Sequence, residues 1–299
     1  MEGSSVFDEF LVWQSGRQVR ATGEPLAPAT CRTKRQRLGA LMRTLKAGDE
    51  RCMATLLTDR AVCVSLLDRL YVEYAPATVQ LQVKTLRQFS EYAIAMGWVD
   101  SCALTAADAP PAVRQTPVRV YEQRDIDLML QGARASDLRH WAFLATVVDT
   151  GRRVGEVLSL RWDCLHADEA VAYFDLPTTK NKRQAFVPLS RRLREEVFTP
   201  EHMHHLQVHG HGKLKRDIGQ YPFPYTYEAA VQRLQRLCRD IGVPCYGHHA
   251  FRHTKATQLL ARGVPIQAVS GLLGHSSIVT TDRYYHHATT LSYAKYVDA

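Results

Sequence analysis

Residues 247–287 read GHHAFRHTKATQLLARGVPIQAVSGLLGHSSIVTTDRYYHH. Spacings of three and four residues place His249, Arg252, His253, Ala256 and Leu260 on one side of a helix. Gly263 stops that helix, and Pro265 stands where a first helical turn tolerates a missing N–H. A second helix follows, with Ile266, Val269, Leu272 and Leu273 as its apolar stripe and Gly274 as its stop. Then come His275, a Ser/Thr cluster fit to cap a third short helix, and the pair Arg283–Tyr284. Helix ends thus deliver two histidines, two arginines and a tyrosine, without a metal-binding or nucleotide-binding signature. Such a set suits attack of a phenolic oxygen on a phosphodiester.

Composition sets the frame for that reading. A chain of 299 residues can bury two cores, and 45% hydrophobic with 23% charged residues is ordinary for a soluble globular protein. A net charge of +8 and a pI near 9.2 point to a polyanionic partner. Seven cysteines, an odd number without C-x-x-C spacing, argue against a disulfide framework or a zinc ribbon and for reduced thiols in the cytoplasm. The N-terminal MEGSSVFDEFLVW is acidic where a secretory signal is basic. No apolar run approaches the length of a membrane span, so no membrane partner is expected.

Ahead of the opening stretch, the chain reads as two domains. A short amphipathic helix over Val6–Gln14 is broken by a polar stretch with Gly16, Gly23, Pro25 and Pro28. Helices follow over Thr33–Lys46, Arg60–Glu73 and Thr78–Met96. Arg32, Lys34, Arg35, Arg37 and Arg43 crowd the first of these, and Lys84 and Arg87 face outward on the last. They are candidate phosphate contacts, against the alternative of a merely solvated face. Residues 1–110 form an expected helical N-terminal DNA-binding domain, and Ala106–Pro117, rich in proline, is the linker candidate. A second domain over 118–299 opens with helices at Glu122–Ala133 and Trp141–Val148. The segments VAYFDLP, TTKNKR and QAFVPLS read as strand, turn and strand. Five histidines between His202 and His211 read as an exposed insertion rather than a metal site.

HAFRHTKATQLL, LLGHSS and TTDRYYHH, in this order, resemble the C-terminal signature of the tyrosine recombinase (phage integrase) family: H-x-x-R-H, then L-G-H, then R-Y about nine residues on. The resemblance extends upstream. The family's T-G-x-R-x-x-E is matched by Thr150-Gly151-Arg152-Arg153-Val154-Gly155-Glu156, which places the catalytic arginine at Arg153 rather than Arg152. Its turn lysine is matched by Lys180, eight residues before Pro188-Leu189, with Lys182 as the rival in the same turn. The resemblance therefore implies a catalytic set of Arg153, Lys180, His249, Arg252, His275 and the nucleophile Tyr284. Tyr285 rivals Tyr284, and the frame Arg283-Tyr284-x-His286 favours the first. Glu156, one turn beyond Arg153, is placed to hold that guanidinium.

The resemblance implies a mainly α fold with a small antiparallel β-sheet, arranged as a two-domain DNA clamp. It implies strand cleavage through a 3′-phosphotyrosine for integration, excision or transposition of a DNA element. No cofactor and no metal are needed, because the phosphotyrosine ester conserves the bond energy for religation. The implied partners are a double-stranded DNA recombination site, three further copies in a homo-tetramer, and accessory DNA-bending or directionality proteins. The implied location is cytoplasmic and nucleoid-associated. A type IB topoisomerase shares this chemistry, and a DNA-binding protein with a dead site is a rival of another class.

Overall fold

The computed structural model describes residues 5–111, 118–167, 171–176, 185–208 and 217–274. The chain divides into two compact units, Met1–Thr116 and Pro117–Ala299.

The first unit is helical among its described residues. Helix α1 spans Val6–Thr22, α2 Pro28–Leu45, α3 Glu50–Leu56, α4 Arg60–Glu73 and α5 Pro76–Ala95. Gly16 does not break α1, contrary to the sequence expectation. An interior glycine costs only about 1 kcal/mol, and just past it Arg17 pairs with Glu91 of α5 at 3.2 Å. Phe7 and Phe10 lie edge-on to Phe89 at 5.5 and 5.6 Å, and Trp13 lies 5.4 Å from Tyr92. The helix ends at Gly23, whose φ of 75° suits a residue without a Cβ. Pro28, read as a breaker, instead starts α2 at a position that has no N–H to satisfy. Helix α3 was not expected. It is too short to show a period, and Asp49 caps it by accepting from the Cys52 N–H at 2.7 Å.

The second unit is built on α7, Leu138–Thr150, in which Phe143, Leu144, Ala145 and Val147 are completely buried. Around it lie α6 (Gln123–Ser136), α8 (Val154–Leu158), α9 (Pro200–Val208), α10 (Tyr227–Ile241), α11 (His248–Ala261) and α12 (Ile266–Leu273). A three-stranded antiparallel sheet runs β1 (Leu165–His166), β2 (Tyr173–Leu176), β3 (Ala185–Pro188), with Phe174 opposite Val187 and Asp175 opposite Phe186. Phe174, Leu176 and Val187 point to the core, whereas Phe186 is exposed. The chain is thus mainly α with a small antiparallel sheet.

Two further sequence expectations are corrected here. The histidine run is not wholly an exposed insertion, since His202, His204 and His205 belong to α9. Leu206 anchors that helix in the core, and His202 packs edge-on to Trp141 at 5.9 Å. His209 and His211 lie outside the described residues. Helix α10 was also not anticipated. Thr226 caps it by accepting from Ala229 N–H at 3.1 Å, and Gly242 (φ 72°) ends it.

Candidate active site

The C-terminal ends of α7 and α12 meet at two glycines, beside the middle of α11. Gly151 terminates α7 with φ 60°, and a Cβ there would stand 2.6 Å from Leu273 Cδ2. Gly274 terminates α12 with φ 69°, and a Cβ there would stand 2.5 Å from Arg152 Nη1. No other residue allows both the turn and the approach.

Three arginines converge on this junction. Arg252 is 1% exposed and reaches it from α11: its Nη1 donates to Leu273 O at 2.6 Å and to Gly151 O at 3.2 Å. Arg153 precedes α8 and is half exposed, with Nη1 donating to Glu156 Oε1 at 2.9 Å and to Gly274 O at 3.4 Å. The carboxylate also accepts from the Arg153 N–H at 3.2 Å, so Glu156 fixes both ends of this residue. Arg152 is buried at 3% exposure and donates from Nη2 to Phe186 O on β3 at 3.3 Å. The C-terminal end of α12 is the negative end of a helix dipole, which favours this positive cluster.

His249 lies on the exposed edge of α11, next to its buried face. Desolvation by the surrounding protein, then the charges of Arg252 and Arg153, lower its pKa, so the ring is neutral at pH 7. His253, one turn on, sits 4.5 Å from it between ring centroids. Burial, His249 and Arg252 push the His253 pKa down to about 4. Among the described residues no group of three or more His, Cys, Asp or Glu could hold a metal ion, and no helix is long and apolar enough to cross a membrane.

Lys180, His275 and Tyr284, with the rivals Lys182 and Tyr285 and the expected third helix, lie outside the described residues. The described part of the site still contains the two arginines, the glutamate and the first histidine of the expected set. The model of the phage integrase family matches residues 119–290, more than half of the chain.

The chain belongs to the phage integrase family. Its members, the tyrosine recombinases, are DNA strand-exchange enzymes. It is 28% identical over 228 residues to tyrosine recombinase XerD of Lacticaseibacillus casei, covering 71% of this chain and 73% of the relative. Its fold is similar to lambda integrase solved as a dimer bound to a COC′ core site. That likeness has a TM-score of 0.66 at 19% identity, over 93% of this chain and 76% of the other. Lambda integrase as a tetramer bound to a Holliday junction gives a TM-score of 0.65 at 18% identity, over 91% and 76%.

In this member of the family, the basic residues of the first unit are not equivalent. Arg32, Arg43 and Lys84 are exposed, and Arg87 is half-buried. Arg35 pairs with Asp8 at 2.6 Å. Lys34 donates to Gln14 at 2.7 Å and Gln88 at 2.8 Å, and Arg37 donates to Thr85 at 2.9 Å. Two site residues escaped the sequence reading. One is Arg152, whose burial no local pattern shows. The other is Asp149, which accepts from Ser190 Oγ at 2.6 Å and from Arg192 Nε at 3.0 Å, and so ties the end of α7 to the chain just after β3. The charge pair Asp149–Arg192 is separated by 43 residues, beyond any sequence window.

Proposed function

We propose that this recombinase breaks and rejoins duplex DNA at a specific site through a 3′-phosphotyrosine on Tyr284, to integrate, excise or transpose a DNA element. The observation that carries the reading is the convergence of Arg252 and Arg153 on the end of α12, the residue before His275. Displacement at a phosphodiester builds charge on the non-bridging oxygens, and preorganised guanidinium groups stabilise it. A planar fork matches two such oxygens where an ammonium would not.

The remaining roles follow from protonation chemistry. The Tyr284 phenol, near pKa 10 in peptides, must lose its proton to attack. His249, held neutral at pH 7, is the base that takes it. Lys180 protonates the leaving 5′ oxygen, and His275 donates to a phosphate oxygen. Four copies act together on DNA, with accessory DNA-bending or directionality proteins as further partners, in the cytoplasm at the nucleoid. No metal or nucleotide enters, since each transesterification conserves the ester energy.

Trapping on nicked suicide substrates, followed by peptide mapping, tests the assignment. The expected result is a DNA 3′ phosphate on Tyr284 with a free 5′ hydroxyl. Attachment at Tyr285, or to a 5′ end, overturns it. A two-site exchange assay beside plasmid relaxation separates recombination from topoisomerase activity.

A further inference from the structure

His249 stands in the first turn of α11, where the backbone is already pinned. The Tyr121 hydroxyl accepts from the Tyr246 N–H at 2.8 Å and donates to Gly247 O at 3.4 Å. The Tyr121 N–H donates to Thr254 Oγ1 at 2.8 Å, and its ring stacks on Phe251 at 4.5 Å between centroids. These contacts fix the helix but not the direction of the His249 imidazole, which turns about its own side-chain bonds. A general base must meet its proton within about 2.6–3.2 Å, so the ring itself has to be held.

His253 is placed to hold it. One turn along α11, its ring lies 4.5 Å from that of His249 between centroids, with the planes inclined at 81°. That is an edge-to-face contact at the near end of the roughly 4.5–7 Å that aromatic pairs adopt. His253 is half-buried, and burial, His249 and Arg252 keep it uncharged. It therefore meets its neighbour as a neutral ring, with no charge of its own to repel the proton that His249 gains. On His249 bear the charges of Arg252, from the same helix, and of Arg153, from the residue before α8. Both guanidinium groups are fixed to carbonyls at the end of α12, Arg252 to Leu273 O and Arg153 to Gly274 O.

We propose that His253 is a positioning residue whose ring braces the His249 imidazole beside Arg252 and Arg153, in the orientation that takes the proton of the nucleophile. It acts on the reaction through His249. The inference rests on the reading of His249 as the base.

The experiment compares wild type, His253→Ala, His253→Phe, His249→Ala and the double variant His249→Ala/His253→Ala. Single-turnover cleavage of nicked suicide DNA is measured across pH, beside DNA binding and unfolding midpoint. Histidine ring NMR on the same proteins reads the His249 pKa, its signal being the one lost in His249→Ala. Misplacing a catalytic group by about 1 Å costs on the order of 100-fold, so His253→Ala should cleave roughly 10- to 100-fold more slowly with DNA binding intact. His253→Phe keeps the ring contact and should recover to within about threefold of wild type. In His253→Ala the freed imidazole swings away from the two arginines and into water. Its pKa should then rise toward the ordinary value near 6.5, and the acid limb of the pH profile should move up with it. A residue that merely fills space would shift the unfolding midpoint and neither of these. The double variant should be no slower than His249→Ala alone. His253→Gln, which also lacks a ring, replaces His253→Ala if that variant unfolds.

Wild-type cleavage by His253→Ala would overturn the proposal. So would a His253→Phe as slow as His253→Ala, because the effect would then belong to an imidazole nitrogen and not to the ring contact. A further loss of about tenfold in the double variant would make His253 an independent group, which also ends the idea. Wild-type cleavage by His249→Ala would instead overturn the reading of His249 as the base. The ring NMR then decides for the brace: a raised His249 pKa in His253→Ala supports it, and an unchanged one ends it.

Discussion

Arg252 donates from Nη1 to the carbonyl of Leu273 at 2.6 Å, joining α11 to the last residue of α12. The same nitrogen donates to the Gly151 carbonyl at 3.2 Å, so one buried guanidinium from α11 closes two helix ends at once. Carbonyls at helix C-termini have no intrahelical partner, and this arginine satisfies two of them. A residue assigned to charge stabilisation at the phosphate is therefore also part of the fold.

That double duty separates the two arginines of the site. Arg252→Ala should lose cleavage and also about 3–5 kcal/mol of stability, since it strands buried carbonyls and opens a cavity. Arg153→Ala, whose side chain is 47% exposed, should lose cleavage while changing stability by less than about 1 kcal/mol. Denaturant unfolding beside single-turnover cleavage checks both. Equal stability losses in the two variants would contradict the burial difference.

Gly151 should tolerate no side chain. Gly151→Ala adds strain at φ 60° and a contact of 2.6 Å with Leu273 Cδ2. The expected cost is about 2 kcal/mol or more, together with slower cleavage, because α12 must shift and carries Leu273 O away from Arg252. Unfolding and cleavage measured on the same preparation test this, and a variant with wild-type stability would refute the close approach.

Acid should destabilise the protein over a defined window. Desolvation, with the Arg233 charge, pushes His140 down to about 4, and burial beside His140 does the same to His248. His248 lies edge-on to Phe143, which in turn meets Tyr225, and Asp137 partly opposes the shift at His140. In the unfolded chain these rings take a proton near pH 6.5. Between that value and about 4 the unfolded state binds more protons, so stability is complete above pH 6.5 and falls as pH drops. At about 1.4 kcal/mol per pH unit, each ring accounts for at most roughly 2 kcal/mol by pH 5. Unfolding midpoints at pH 7 and pH 5 should differ, and His140→Gln should narrow the gap. An unchanged gap in that variant would assign the acid sensitivity elsewhere.

Salt dependence of DNA binding should sort the basic residues of the first unit. Arg32→Gln with Arg43→Gln removes two exposed charges of α2. The pair should lower the slope of log K against log salt by roughly one unit per lost phosphate contact. Arg35→Gln should do less, because Asp8 already neutralises that charge at 2.6 Å. Equal slopes for all the variants would make this face merely solvated.

The expected catalytic pattern could be read from the sequence because each of its motifs is local. His249 and Arg252 are one turn apart on one helix, Arg153 and Glu156 form an i, i+3 pair, and each motif spans only a few residues. Helix α4 was legible for a similar reason, since Asp59 caps it and Leu66, Leu67 and Leu70 recur at helical spacing. Helix α1 runs beyond its expected end, and its contact past Gly16, the pair of Arg17 with Glu91 of α5, comes from more than sixty residues away.

What only the tertiary structure decided is the division of labour among the arginines. In sequence Arg152 and Arg153 are adjacent and chemically identical, and a family pattern chooses between them without saying what the other does. Folding sends their side chains in different directions: Arg153 to the surface with Glu156, Arg152 inward to Phe186 O and Gly274. Direction at the end of α7 is set by the left-handed turn at Gly151 and by the packing of α12 against it. Those contacts join residues more than a hundred positions apart, so no local propensity encodes them.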